Sequence, residues 1–183
     1  LLLIVGDGVE RGAIEEKTRR LGLGDHVRML GMRCDIPELL GAMDVKVLSS
    51  HMEANPASTL EASACGLPVV APRVGSLAET VLDGRTGLLC EPDNPAALAA
   101  ALLQMLSDPG KAQAMGAAGR ELVCKHYTVE VMVRGYEGLI DGIYRAACRG
   151  ERLTPEAFDR WMNHVGQPTS GDIQRISAGE PAP

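Results

Sequence analysis

At 183 residues, 45% of them apolar, the chain is long enough for one domain with a core of its own and too short for two full domains. A net charge of −6, no Lys/Arg cluster and 3% aromatic residues argue against nucleic acid as a partner. No apolar run approaches the roughly 18 residues that a membrane span needs.

Residues 1–5 form a continuous apolar run, as expected of a strand covered on both faces of a parallel sheet. Gly6-Asp7-Gly8 is the turn after it. A dinucleotide fingerprint fails here, because Arg11 stands where the third glycine belongs. Ile14, Thr18 and Leu21 recur at helical spacing until Gly22-Leu23-Gly24-Asp25 breaks the helix, and residues 27–30 are the next strand. Residues 35–43 fit a short helix with Pro37 in its first turn, and 45–48 fit a strand ending in Ser49 and Ser50.

A polar loop carrying Glu53 follows. Pro56, Ser58 and Thr59 open a helix that Gly66 closes, and 67–71 restart a buried strand. In an open α/β sheet such a strand-to-helix loop lies at the carboxyl edge, where ligands bind, and the helix N-terminus offers free N–H groups to an anion. Glu53 and Glu61 flank that seat in an E-x7-E spacing, with Glu61 roughly 7–8 Å along the helix at 1.5 Å per residue. A carboxylate accepts hydrogen bonds from vicinal hydroxyls, so the pair suits a ribose and a sugar with a diphosphate between them. That layout matches a nucleotide sugar.

Further along, Ser76-Leu77-Ala78-Glu79 has the form of a capping box, residues 83–87 are turn chemistry and 88–90 an outer strand. Asn94-Pro95 reads as a cap and first-turn pair for a helix whose apolar face is Leu98, Leu102, Met105 and Leu106. Residues 111–124 and 129–147 are helical, with Met132, Val133, Tyr136, Ile140, Ile143 and Tyr144 on one side as a core or interdomain face. Residues 156–165 suggest one more helix, and 166–183 a poorly ordered tail. Cys34, Cys65, Cys90, Cys124 and Cys148 are odd in number and dispersed, without metal-ligand spacing, and read as small core hydrophobes in a reducing compartment. The alternation of strands and helices predicts a three-layer, Rossmann-like α/β fold with a parallel sheet.

The E-x7-E segment followed by Ala62-Ser63-Ala64-Cys65-Gly66-Leu67-Pro68-Val69-Val70 resembles the second, donor-binding domain of group 1 retaining glycosyltransferases, enzymes of the GT-B fold. Four further matches keep the family's order: Ile4-Val5-Gly6-Asp7-Gly8, Val27-Arg28-Met29-Leu30-Gly31, Asp83-Gly84-Arg85-Thr86-Gly87-Leu88-Leu89 and Met115-Gly116-Ala117-Ala118-Gly119-Arg120. The resemblance implies a donor domain over 1–150, with 151–183 a C-terminal helix and tail. It also implies a sheet lacking the family's first strand and helix, and a fragment of a longer protein.

By the same resemblance Glu61 holds ribose hydroxyls, and Glu53, in a catalytic role, contacts the transferred sugar and orients it. The N–H groups around Asn55 to Thr59 receive the diphosphate. The Ser58 and Thr59 hydroxyls either help there or serve as helix caps. Met32 and Arg33 lie beside the nucleobase, unless Arg33 is simply a solvated loop charge. Glu79 is structural or lies below the donor site. Ala54 and Asn55 stand where Gly and an aromatic residue are frequent, which leaves the donor sugar open.

The reaction implied is hexosyl transfer from a nucleoside-diphosphate sugar with retention, with no metal and no cofactor beyond the donor. The implied setting is cytoplasmic, either in solution or peripheral at the inner membrane face. The acceptor site and a basic pair for the diphosphate would precede Leu1, so the fragment alone is expected not to transfer sugar. Two alternatives stand beside this reading: an epimerase acting on nucleotide sugars, and a non-catalytic nucleotide-binding or interaction module.

Overall fold

The computed structural model describes residues 1–150 and 154–156, so the helix expected over 156–165 and the tail over 166–183 lie outside the described residues, Glu156 excepted. Contacts divide the chain into two compact units, the first ending at Leu39 and the second beginning at Leu40.

In the first unit, β1 (Leu2–Val5) and β2 (Val27–Gly31) pair in parallel, with Leu2 opposite Val27, and α1 (Arg11–Arg20) connects them. The connection follows the sequence signals: Gly22, at φ +68°, ends α1 with its N–H on the Arg19 carbonyl. The expected cover of β1 on both faces is not present. Leu2 is 49% and Val5 37% exposed, and α1 contributes no buried residue. β1 has the apolar character of an interior strand, but it pairs with β2 alone. Helix α2 (Ile36–Gly41) follows, with Pro37 in its first turn as predicted.

The second unit holds a three-stranded parallel sheet in the order β3-β4-β5, comprising Lys46–Val47, Val69–Pro72 and Gly87–Cys90. Lys46 stands opposite Val69, and Val69 opposite Gly87, so the strands run in one register with β5 at an edge. Strand β4 is central, and Val69, Val70 and Ala71 are wholly buried. The predicted sheet is thus parallel throughout, but its hydrogen bonding forms two sheets, one in each unit.

Helices α3 (Ala57–Ala64), α4 (Leu77–Thr80), α5 (Pro95–Ser107), α6 (Pro109–His126) and α7 (Val129–Cys148) complete the unit. Asn94 caps α5 by accepting the Ala97 N–H at 3.0 Å, and Asp108 caps α6 through Lys111 at 2.9 Å. The core joins Val70 to Met105 and Met115, with Val45, Leu88, Leu98 and Leu102 packed around them. Leu106 lies off this face and is 56% exposed, because it sits one residue past Met105, a rotation of about 100°. Helix α6 passes so close to the end of α3 that a Cβ at Gly116 would lie 1.9 Å from the Gly66 carbonyl oxygen.

On α7 the buried side is Ala146, with Val131, Gly135, Leu139 and Gly142 half-buried. The stripe of Met132, Val133, Tyr136, Ile140, Ile143 and Tyr144 points away and is 42–69% exposed. It is therefore no part of this unit's core, which corrects half of the sequence expectation and leaves the interdomain half. Among the described residues no helix is long and apolar enough to cross a membrane.

Candidate functional site

The site is built on the β3–α3 connection at the carboxyl edge of the three-stranded sheet. Strand β3 ends as the Leu48 N–H reaches the Val70 carbonyl at 3.0 Å, and a loop then carries the chain to Pro56, the cap residue of α3. Pro56 is extended at φ −74°, ψ 99°, and offers no side-chain cap; the N–H groups of Ala57 and Ser58 are left for other acceptors, whereas that of Thr59, expected to face a diphosphate, bonds the Pro56 carbonyl at 3.0 Å. Gly66, at φ +81°, closes the helix as predicted, with its N–H on the Ser63 carbonyl at 2.9 Å.

Within this frame Glu53 is half-buried in the loop, and Glu61 is exposed on the second turn of α3. Asn55 is exposed and Ser58 half-buried. Thr59 is turned inward, 1% exposed, and its hydroxyl donates to the Pro56 carbonyl at 2.7 Å. That bond ties the first helical turn to the loop and occupies the proton proposed for a ligand. Lys46 on β3 is half-buried, and burial lowers its pKa while the charges of Glu61 and Glu53 oppose that shift.

The remaining two predicted residues belong to the first unit. Met32 is 79% exposed after β2. Arg33 is bound through Nε to Asp35 at 2.8 Å and through Nη2 at 2.5 Å. The hydrogen bond and charge of Asp35 raise the guanidinium pKa, and the bond from Arg33 lowers that of Asp35. Of the two readings of Arg33, this pairing favours the surface charge, satisfied locally.

Sequence reasoning missed the support beneath Glu53. The expected capping box at Ser76 does not form: Ser76 makes no side-chain cap to α4, and its hydroxyl donates instead to the Ala54 carbonyl. Its N–H points to the Glu53 carbonyl at 3.4 Å. Gly75, at φ +51°, passes so close that a Cβ there would lie 1.7 Å from the same oxygen. A glycine after a strand, followed by a hydroxyl residue, is a sequence signal for close approach, but its partner 22 residues earlier is not readable. The other end of the loop is met by Asp93, whose carboxylate contacts His51 Nδ1 and whose backbone sits at φ +53°. Glu79 is exposed, and its carbonyl accepts the Tyr127 hydroxyl at 2.9 Å, a structural role.

Carboxylates beside a helix N-terminus without a side-chain cap, at the carboxyl edge of a parallel sheet, are the arrangement in which an open α/β fold offers hydrogen-bond groups to a ligand. Comparison with known proteins makes the class specific. Residues 1–122 match the family described as glycosyl transferases group 1, and the chain belongs to that family.

It is 35% identical over 144 residues to N-acetyl-alpha-D-glucosaminyl L-malate synthase of Bacillus anthracis, covering 79% of this chain and 38% of that protein. To glycogen synthase of Mycobacterium tuberculosis it is 34% identical over 154 residues, covering 82% of this chain and 36% of that protein. Among solved structures it resembles sucrose-phosphate synthase of Thermosynechococcus elongatus, with a TM-score of 0.75 and 34% identity, over 79% of this chain and 39% of that one. It also resembles Anabaena HepE in complex with UDP and glucose, with a TM-score of 0.71 and 28% identity, over 76% and 40% of the two chains. The chain thus spans well under half the length of these relatives, as one half of a two-domain GT-B glycosyltransferase does.

Proposed function

We propose that this chain is the donor-binding half of a retaining glycosyltransferase that transfers a hexosyl group from a nucleoside-diphosphate sugar. The observation that carries the reading is the placement of Glu53 and Glu61 on either side of the open α3 N-terminus. Glu61 accepts the ribose hydroxyls, Glu53 accepts hydroxyls of the transferred sugar, and the N–H groups of Asn55, Ala57 and Ser58 face the diphosphate. The nucleotide bound by a relative such as HepE supports a donor of this class.

The barrier is departure of the leaving diphosphate as the sugar becomes oxocarbenium-like. Negative charge grows on the phosphate that leaves, and fixed N–H donors aimed there are worth about 3–4 kcal/mol each when well placed. The charge of half-buried Lys46, which interacts with those of Glu61 and Glu53, limits the repulsion between the carboxylates and the arriving phosphates. The acceptor belongs to the part of such enzymes that this chain does not match. We place the reaction in the cytoplasm, since five dispersed, unpaired cysteines suit a reducing compartment, although Cys34, Cys65, Cys124 and Cys148 are exposed and not in the core as expected.

The test is a ligand-observed NMR titration of the full-length protein with UDP, GDP and ADP, beside Glu61→Ala. One nucleotide is expected to bind and to lose about tenfold in affinity in the variant, the scale of a hydrogen bond to a charged group. Failure of all three nucleotides to bind would overturn the reading.

A further inference from the structure

We propose that Ser76 is a positioning residue of the donor site, holding two peptide groups of the β3–α3 loop so that the N–H groups of Ala54 and Asn55 face the phosphate carrying the transferred sugar. The inference rests on the donor-site reading and adds to it the device that orients the loop.

Two consecutive carbonyls, those of Glu53 and Ala54, end on the same residue, the first at the Ser76 N–H and the second at its hydroxyl. Between residues 49 and 55, among the described residues, no other hydrogen bond holds the loop's backbone to the fold. Every described peptide is trans. In a planar trans peptide the C=O and the next N–H point in opposite directions. Turning the carbonyls of Glu53 and Ala54 onto Ser76 therefore turns the N–H groups of Ala54 and Asn55 away from it. Both residues are exposed, and neither N–H finds an acceptor among the described residues. Two successive N–H groups on one side of a chain form a small concave anion seat.

The anchor is stiffer than what it holds. The Val74 N–H bonds the Pro72 carbonyl at 3.0 Å, the Leu77 N–H bonds the Val74 carbonyl at 3.2 Å, and Leu77 is wholly buried. Gly75 lets this turn lie directly against Glu53, where any side chain would displace the loop. Ser76 thus passes the rigidity of the β4–α4 turn to a loop with no secondary structure of its own. Without its hydroxyl the Ala54–Asn55 peptide is free to rotate, and a donor N–H then becomes an acceptor carbonyl facing a phosphate.

The experiment compares Ser76→Ala and Ser76→Thr with the unsubstituted full-length protein by two measurements. The first is the carbonyl carbon shift of Ala54 in the free protein, which reports the hydrogen bond without any ligand. It is expected to move in Ser76→Ala and to return in Ser76→Thr. The second is the affinity for the nucleoside diphosphate that binds, set against its parent nucleoside. Ser76→Ala is expected to lose about tenfold for the diphosphate and nothing for the nucleoside, with recovery in Ser76→Thr.

An unmoved Ala54 shift overturns the proposal, and so does an equal loss for both ligands or a loss for neither. If the unsubstituted protein binds no nucleoside diphosphate, the donor-site reading falls and takes the proposed ligand with it. The Ala54 shift would still report the tie, so the two failures are told apart.

Discussion

Strands β1 and β4 are both continuous apolar runs and have opposite surroundings. β1 keeps Leu2 at 49% and Val5 at 37% exposure, whereas Val69, Val70 and Ala71 of β4 are at 0%. The difference is in their neighbours. β4 is hydrogen-bonded on both edges and packed by α5 and α3, while β1 has one partner strand and a helix, α1, with no buried residue of its own. An apolar run therefore states a need for cover, and only the rest of the fold states whether the need is met.

The largest expected effect sharpens this contrast through two helical glycines. Gly116→Ala on α6 forces a methyl into the Gly66 carbonyl and should cost about 3 kcal/mol. Gly12→Ala on α1 meets nothing within 4 Å and should stabilise by about 0.5 kcal/mol through helix propensity. Denaturant unfolding of both variants reads the two numbers, and a neutral Gly116→Ala would mean that α3 and α6 are not in such close contact. Next in size, Val70→Ala removes two buried methyl groups and leaves a gap beside Met105 and Met115, a loss of about 2 kcal/mol. Leu2→Ala should cost under about 1 kcal/mol, since half of that side chain is already in water. Equal losses would break the comparison and show β1 to be covered as fully as β4.

Elements were legible wherever a local signal fixed them. The Asn94 cap, the Gly66 stop and the position of α3 follow from residues within one turn of each other. The E-x7-E spacing likewise placed Glu53 in a loop and Glu61 on a helix, because spacing along one helix is a local property. What could not be read was long-range. Ser76 carries a capping-box pattern, yet its hydroxyl goes to Ala54, because a carbonyl brought close by the parallel sheet competes with the helix end. Thr59 looks like a ligand-facing hydroxyl and is buried on its own turn, since helical rotation decides which of two adjacent side chains faces inward. The stripe on α7 has the periodicity of a core face, and periodicity carries no information on which partner receives it.

The smallest effect concerns a polar tie beside the same turn that supports the donor loop. The Tyr127 hydroxyl at the end of α6 donates to the Glu79 carbonyl of α4, the helix that begins one residue after Ser76. Tyr127→Phe should cost about 1 kcal/mol near neutral pH, the net value of such a bond. The tie also has a pH signature. Burial, with a smaller contribution from the charge of Glu79, raises the Tyr127 pKa above its ordinary value of 10.0. A phenol whose folded pKa is raised contributes stability that is complete below the unfolded pKa and fades as pH climbs through the folded one. The advantage of tyrosine over phenylalanine should therefore hold from pH 7 to about 9 and shrink above about 10. Unfolding curves for the two proteins that stay parallel up to pH 11 would show that this hydroxyl is solvated in the folded protein and that α4 is held without it.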